Sequence, residues 1–221
     1  MSIELLLSLP KSFYVSWRLT SFKEAFRLPV LVRFNTKLIS LKGHMSIHSA
    51  HKGTTRLIIG FNSVGIYDKK YSRSILQIDG NIALHGKSTF GQGARICVMT
   101  DALLSLGNGV NNTAEGAIVC RKNIKIGQNC LISWETVIMD SDWHAVRDLD
   151  KNMSMDDTQD IVIGNNCWLG MRSVVLKGSR IAHGSIVAAQ STVTHAFDTP
   201  NVLLAGTPAI IKKEKVTLHR P

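Results

Sequence analysis

A six-residue repeat constrains this chain more than any other feature of its sequence. From residue 163 every sixth residue is a branched aliphatic one, and four residues later a small one follows in five of six cases, with Phe197 as the exception. The aliphatic residues are Ile163, Leu169, Val175, Ile181, Val187 and Val193, and the small ones are Cys167, Ser173, Ser179, Ser185 and Ser191. A period of six matches neither the 3.6 residues of a helical turn nor the alternation of a half-buried strand. Three hexads, each a short strand and a corner, would instead form one turn of a stacked triangular coil whose backbone groups pair between turns.

The repeat also marks the extent of this coil. It is present at Ile126, Ile132 and Ile138, and a weaker version runs from Ile78 to Ile96. The sequence predicts an all-β solenoid of six to seven turns between Ile78 and Asp198, with a break in register between Ile96 and Ile126. We divide the chain into an N-terminal segment (1–45), the coil (46–211) with an inserted, protruding loop (140–162), and a basic tail (212–221).

Composition excludes several classes. The formal charge of +10 favours an anionic ligand without selecting one. The four cysteines form no CxxC pair and no zinc-ligand spacing, so reduced thiols and a cytoplasmic location are expected. The N-terminus meets Pro10 and Lys11 before any long apolar run, which argues against a signal peptide, and no run is long enough to span a membrane.

The inserted loop is the candidate functional region. It begins directly after Ile138 with the segment MDSDWH, where Asp142 occupies a small-residue position and His144 an aliphatic one. Functional sites are where such departures from a local pattern are expected. The alternatives are that His144 is simply the first residue of a surface loop, and that Asp140 and Asp142 cap a turn.

The segments GNNCWLG, NVLLAGTPA and IMDSDWH resemble those of the hexapeptide-repeat acyltransferases. This family includes maltose and galactoside acetyltransferases and the capsule and lipopolysaccharide O-acetyltransferases, and the resemblance covers residues 75–211. It implies a left-handed parallel β-helix, a homotrimer with active sites between subunits, acetyl-CoA as donor, a saccharide acceptor and no metal.

The resemblance also implies roles for individual residues. His144 would be the general base, with Asp142 and Asn112 as further catalytic residues; Asn111 and Glu115 are rivals to Asn112. Asp140 and Trp143 would bind the acceptor. Coenzyme A would contact Trp168, Gly170, Ala189, Thr194 and Lys213, although lysines in a basic tail are most often only solvated.

The predicted function is therefore O-acetyl transfer from acetyl-CoA to a hydroxyl of a cell-surface polysaccharide or its saccharide precursor. A sugar hydroxyl is a poor nucleophile, and a neutral imidazole can remove its proton as it attacks the thioester. Acceptors such as a free sugar, an amino-sugar nucleotide or serine remain open, as does a non-catalytic glycan-binding or scaffold coil. A zinc carbonic anhydrase is disfavoured because no H-x4-H pair occurs, and nucleic-acid binding because no recognised motif does.

The N-terminal segment predicts one helix that ends before Pro29. Its aromatic residues are interleaved with Arg18, Lys23, Arg27 and Arg33. We favour a cap over the open first turn of the coil; the alternative is a helix on the membrane surface, at the inner face of the membrane.

Overall fold

The computed structural model describes residues 2–48 and 55–219. Within these ranges two helices precede a long series of short strands. The helices are α1 (Ile3–Leu19) and α2 (Phe22–Ala25). The strands are β1 (Val30–Val32), β2 (Lys37–Leu41), β3 (His44–Ile47), β4 (Leu57–Ile59), β5 (Ile75–Ile78), β6 (Asn81–Leu84), β7 (Ser88–Phe90), β8 (Arg95–Val98), β9 (Leu103–Leu106), β10 (Val110–Asn112), β11 (Ala117–Cys120), β12 (Asn123–Ile126), β13 (Leu131–Ile132), β14 (Val137–Met139), β15 (Val146–Asp148), β16 (Met153–Met155), β17 (Ile161–Ile163), β18 (Trp168–Leu169), β19 (Val174–Leu176), β20 (Arg180–Ile181), β21 (Ile186–Val187), β22 (Thr192–Val193), β23 (Ala196–Phe197), β24 (Val202–Gly206) and β25 (Ala209–Glu214).

The strands stack into three faces of a parallel coil. Face 1 contains β1, β4, β7, β10, β13, β18, β21, β24 and β25; face 2 contains β2, β5, β8, β11, β14, β19 and β22; face 3 contains β3, β6, β9, β12, β17, β20 and β23. Successive strands of the chain visit the faces in turn, so seven turns can be followed from β1 to β23. The predicted fold class, an all-β parallel β-helix with an N-terminal helix and a protruding loop, is confirmed.

The hexads set the length of the later turns. Ile163 pairs with Ile181, 18 residues further along, and Leu169 pairs with Val187 in the same way. All four side chains are buried, and aligned aliphatic side chains of this kind form the core of the coil. Earlier turns are longer, since Ile96 pairs with Ile118, 22 residues later. The register break predicted between Ile96 and Ile126 thus corresponds to longer turns, and the stack of strands continues through it.

The corners explain the small residues of each hexad. Arg172 and Gln190 take a left-handed conformation, with φ of 56° and 59°, which turns the chain sharply between faces 1 and 2. Ser173 and Ser191, directly after them, are buried. A side chain at Gly170 would lie 2.6 Å from the amide nitrogen of Ala189 in the next turn, so neighbouring corners are too close for anything larger.

Helix α1 covers the open edge of the first turn. Strand β1 pairs with β4 on one side only, which would leave the polar groups of its other edge without partners. Ser12 accepts the Val32 N–H (3.0 Å) and donates to the Val32 carbonyl (3.2 Å). Ser16 does the same at Val30, with both distances 3.1 Å. The serines, four residues apart on one helical face, thus replace a neighbouring strand.

The structure differs from the sequence predictions at both ends. The coil begins at Val30, inside the 1–45 segment, and the N-terminal helix stops at Leu19, where Ser21 then caps the separate short helix α2. At the other end β25 turns back antiparallel to β24, placing Lys213 opposite Leu203. The first residues of the predicted basic tail are therefore a strand. Residues 49–54 of the predicted coil and 220–221 of the tail lie outside the described residues.

No helix in residues 2–48 or 55–219 is both long enough and apolar enough to cross a bilayer.

Candidate active site

The inserted loop leaves the coil between β14 and β17, at the corner between faces 2 and 3 of the fifth turn. Its two ends are joined at the base: the Asp142 N–H donates to the Asp157 carbonyl (2.8 Å), and the Gln159 N–H donates to the Asp140 carbonyl (3.0 Å). Beyond this base, β15 and β16 form an exposed antiparallel hairpin. The loop is therefore anchored on the coil at the point where residues 141–144 leave it.

Asp140 is a structural residue of this anchor. Its side chain is fully buried, and its carboxylate accepts the backbone N–H groups of Arg121 (2.7 Å), Lys122 (2.9 Å) and Asn123 (2.8 Å). Those three residues form the corresponding corner of the turn below. Charge-assisted bonds to three amides stabilise both corners. The structure thus fits the turn-capping alternative for Asp140, and we do not include it in the proposed acceptor site.

Trp143 and His144 lie next to each other outside the anchor. Trp143 has a φ of 67°, which is strained for a bulky residue, and its N–H donates to the buried Ser141 Oγ (2.9 Å). The Arg121 guanidinium lies 5.8 Å from the centre of the Trp143 ring. His144 is exposed, and within the described residues its imidazole has no hydrogen-bonding partner.

Lys177 reaches this group of residues from the next turn. Its ammonium lies 2.6 Å from the Asp142 carboxylate and also donates to the Asp156 carbonyl (2.5 Å). The sequence alone predicts only a solvated lysine at this exposed corner. The register of the coil explains the contact. Met139 pairs with Leu176, so Lys177, which follows Leu176, lies above the residues that follow Met139.

The residues expected to contact coenzyme A lie on both edges of face 2. Gly170 and Ala189 are at the corner between faces 1 and 2, in the sixth and seventh turns, and Thr194 is at the corner between faces 2 and 3. Trp168 is half-buried on face 1, where its indole N–H donates to the Ser133 Oγ (3.0 Å). Within one protomer, the width of face 2 separates Gly170 and Ala189 from Thr194.

Asn112 lies in the interior of the coil. It is in register with Phe90 in the turn below and Ile132 in the turn above, and its amide group donates to the carbonyls of Ile132 (3.3 Å) and Ser133 (3.4 Å). The structure does not bring it to His144. Asn112 thus occupies an interior position that an apolar residue holds in the neighbouring turns. For this reason the six-residue pattern of aliphatic residues is interrupted there.

A second cluster of charged groups lies at the opposite edge of the fifth turn. Glu135, at the corner between faces 1 and 2, accepts hydrogen bonds from Tyr67 and Arg172. The Arg172 guanidinium and the Tyr67 hydroxyl hold the pKa of Glu135 below its usual value, and burial followed by the bond to Glu135 raises the pKa of Tyr67 to about 12. Tyr67 comes from the 60–74 insertion, three turns below, which sequence analysis did not identify.

The buried thiols of Cys120 and Cys167 are poorly suited to act as nucleophiles. Burial, reinforced by the neighbouring Asp140 carboxylate, raises the pKa of the Cys120 thiol, and a bond with Cys130 together with burial raises that of Cys167. A thiol needs a lowered pKa to react at neutral pH. Across the part of the chain that the structure describes, no three His, Cys, Asp or Glu side chains group in a way that could hold a metal ion.

Comparisons with known proteins point to one family. A family model described as bacterial transferase hexapeptide (six repeats) matches residues 160–195. The chain is 29% identical over 144 residues to the putative lipopolysaccharide biosynthesis O-acetyl transferase WbbJ of Escherichia coli K12, covering 61% of this chain and 73% of the relative. It is 27% identical over 145 residues to the polysialic acid O-acetyltransferase of Neisseria meningitidis, covering 61% and 65%.

The fold also has solved counterparts. The crystal structure of the polySia-specific acetyltransferase NeuO superposes with a TM-score of 0.51 at 19% identity, covering 87% of this chain and 90% of that one. At that identity the likeness concerns the fold alone. With the repeat, the family-model match and the sequence relatives, however, the predicted resemblance to the hexapeptide-repeat acyltransferases is confirmed.

Proposed function

We propose that the protein transfers an acetyl group from acetyl-CoA to a hydroxyl of a cell-surface polysaccharide or its saccharide precursor. The observation that carries this proposal is His144, an exposed imidazole at the anchored base of the loop that interrupts the repeat. An imidazole in this position is free to meet a ligand, and the coil beneath it is rigid. The sequence relatives that are named as saccharide O-acetyltransferases support the same activity class.

The chemistry needs one group that accepts and returns a proton. Neutral His144 would take the proton of the acceptor hydroxyl as its oxygen attacks the thioester carbonyl. The tetrahedral intermediate would then collapse by breaking the carbon–sulfur bond, and the imidazolium would protonate the departing thiolate. Transfer in a ternary complex is the simplest route, because no Ser or Cys among the described residues is hydrogen-bonded to His144, and Cys120 is a buried thiol with a raised pKa.

Face 2 is the surface on which we propose that the protomers assemble. Its outward side chains in the fourth to sixth turns are all apolar and half-buried, and they form two aligned columns. The columns consist of Ala117, Val137 and Val174, and of Val119, Met139 and Leu176. Face 3 presents charged groups such as Lys125 and Arg180 at comparable positions. An ordered apolar surface flanked by polar corners is typical of a subunit interface.

A homotrimer with its face 2 surfaces turned toward a shared axis would complete the site. If that axis is parallel to the coils, each edge of face 2 meets the other edge of the next protomer at the same turn. His144 of one protomer would then lie beside the fifth-turn corner of its neighbour, and that neighbour's Gly170 and Ala189 would lie one and two turns further along the axis. We propose that coenzyme A binds along this junction, with Thr194 from the first protomer and Trp168 from the second. Lys213, exposed on β25, would meet a phosphate group.

We assign acceptor binding to Trp143 and Asp142. Trp143 offers an exposed aromatic surface, and Lys177 holds the Asp142 carboxylate beside it. We propose that the enzyme works in the cytoplasm, at the inner face of the membrane.

The direct test is thiol release from acetyl-CoA by the purified protein, measured with a panel of acidic and neutral oligosaccharides, free sugars and serine. We expect acceptor-dependent release with an oligosaccharide. Release only with a small sugar or serine would contradict the acceptor class, and no release with any acceptor would contradict the enzymatic function.

A further inference from the structure

Helix α1 is apolar on the face that points away from the protein. The face toward the coil carries the serines that bond to β1, together with Val15 and Leu19. The opposite face carries large apolar side chains at helical spacing, and they are 46–76% exposed: Ile3, Leu6, Leu7, Tyr14 and Trp17. A helix that only capped the coil would have a polar outer face.

An aromatic cluster extends this apolar surface. Phe22 and Phe26 of the α2 region are 56% and 68% exposed. Phe22 lies edge-on to Phe13 (5.8 Å between ring centres), to Trp17 (5.9 Å) and to Phe26 (5.3 Å). The mutual packing fixes these rings without covering them, so the patch is preformed and continuous with the exposed stripe of α1.

The surrounding charge selects the partner. The first 45 residues contain seven Lys and Arg but only two Glu, and both Glu side chains are already paired, with Arg33 and Arg27. Two copies of such a patch would repel each other, which opposes self-association. Exposed apolar and aromatic side chains interleaved with basic ones suit the interface of a bilayer that contains anionic phospholipid.

We propose that the exposed face of α1 and the Phe13–Phe26 cluster dock the protein on an anionic membrane surface. The geometry also gives an orientation. The bonds from Ser12 and Ser16 to β1 run in the same direction as the hydrogen bonds between the strands of face 1, which is the direction of the coil axis. Helix α1 therefore lies at the end of the coil, and its exposed face points along the axis, away from the coil. The coil then stands upright on the membrane, and in a trimer with parallel coils all three patches face the same plane.

Docking would set the height of the candidate active site. His144 belongs to the fifth turn, four strand spacings of about 4.8 Å above the first, which is roughly 20 Å. The helix adds about 10 Å, so the loop would stand about 30 Å from the lipid surface. The docking itself does not depend on the catalytic proposal.

The test is co-sedimentation of the full chain with vesicles of phosphatidylcholine alone or mixed with phosphatidylglycerol. We expect binding to the anionic vesicles that is about tenfold stronger than to neutral ones and weakens in high salt. The double variant Leu7→Ser with Phe22→Ser should lose at least about tenfold in binding, since both side chains are exposed and would insert. The matched control, Ile66→Ser with Tyr71→Ser, removes two large side chains of the 60–74 insertion that are somewhat more exposed, and it should bind as the unmodified chain does.

Three results would overturn the proposal. One is no vesicle binding at either composition, and another is an equal loss in the control variant. The third is a concentration-dependent assembly larger than a trimer that the Leu7→Ser, Phe22→Ser variant abolishes while vesicles have no effect, because the patch would then bind protein. Thiol release measured without vesicles stays an independent readout of the catalytic proposal.

Discussion

The segments 163–197 and 139–161 differ in their relation to the coil: the first follows it without interruption, and the second leaves it as a loop. In the first of these segments the hexads up to residue 192 each place one aliphatic residue inside and one small residue at a corner, and turns of 18 residues stack in register. In 139–161 the chain leaves the corner, and the interior positions are filled again only at Ile161 and Ile163. The regular segment is stabilised by burial, whereas the interrupted one exposes Trp143 and His144 and holds Trp143 in a strained backbone conformation. The proposed catalytic residues thus lie next to the turns that stabilise the coil.

The largest effect should come from His144→Ala, in the interrupted segment. Loss of the general base should lower kcat/KM for acetyl transfer by about 10²–10⁴, while the melting temperature stays unchanged because the side chain is exposed. The control is His183→Ala, an exposed histidine of the regular segment, which should keep normal turnover. Near-normal turnover of His144→Ala would refute its role as the base.

Ile181→Ala, in the regular segment, should lower stability and should not remove a proposed catalytic group. Its side chain is fully buried between Ile163 and Phe197, so truncation should lower the free energy of unfolding by about 3 kcal/mol. Leu149→Ala, in the exposed hairpin region, should change it by less than about 0.5 kcal/mol. Urea unfolding compares the two variants, and equal losses would mean that the loop is packed more tightly than the structure indicates.

Asp140→Ala should weaken the anchor between the two segments. It would leave three backbone N–H groups without their carboxylate, and we expect a loss of about 2 kcal/mol in unfolding free energy. Asp142→Ala is the matched control because its carboxylate is 43% exposed and, among the residues that the structure describes, bonds only to Lys177. A destabilisation by Asp142→Ala as large as that by Asp140→Ala would contradict the assignment of the structural role.

Lys177→Ala should have the smallest effect. The ion pair with Asp142 is partly exposed and should contribute less than about 1 kcal/mol to stability. Freed from Lys177, Asp142 should hold the acceptor less well, so KM for the acceptor should rise by about threefold with little change in kcat. A fall in kcat at constant KM would instead indicate that Lys177 acts on the reacting atoms.

The sequence predicted the coil because burial dictates a strict pattern: one column of aliphatic residues and one of small residues, both visible without any structure. It also located the inserted loop, since only an interruption of the period is needed to find it. It could not decide which of Asp140 and Asp142 caps the turn, because two carboxylates on alternate residues differ only in what surrounds them. Lys177, Tyr67 and Arg172 were missed because their contacts come from stacking between turns, and Asn112 was assigned to the site although its side chain points into the core.

Mixed trimers test most directly the proposal that each active site combines His144 of one protomer with the coenzyme A contact at Ala189 of the next. His144→Ala removes the base at one edge of face 2, and Ala189→Arg should block the proposed coenzyme A contact at the other. Each variant alone should be inactive. If sites form between protomers, a refolded one-to-one mixture should regain about one quarter of the unmodified activity, since half of the protomers carry an intact histidine and half of their neighbours an intact contact. A mixture as inactive as its components would contradict sites shared between protomers.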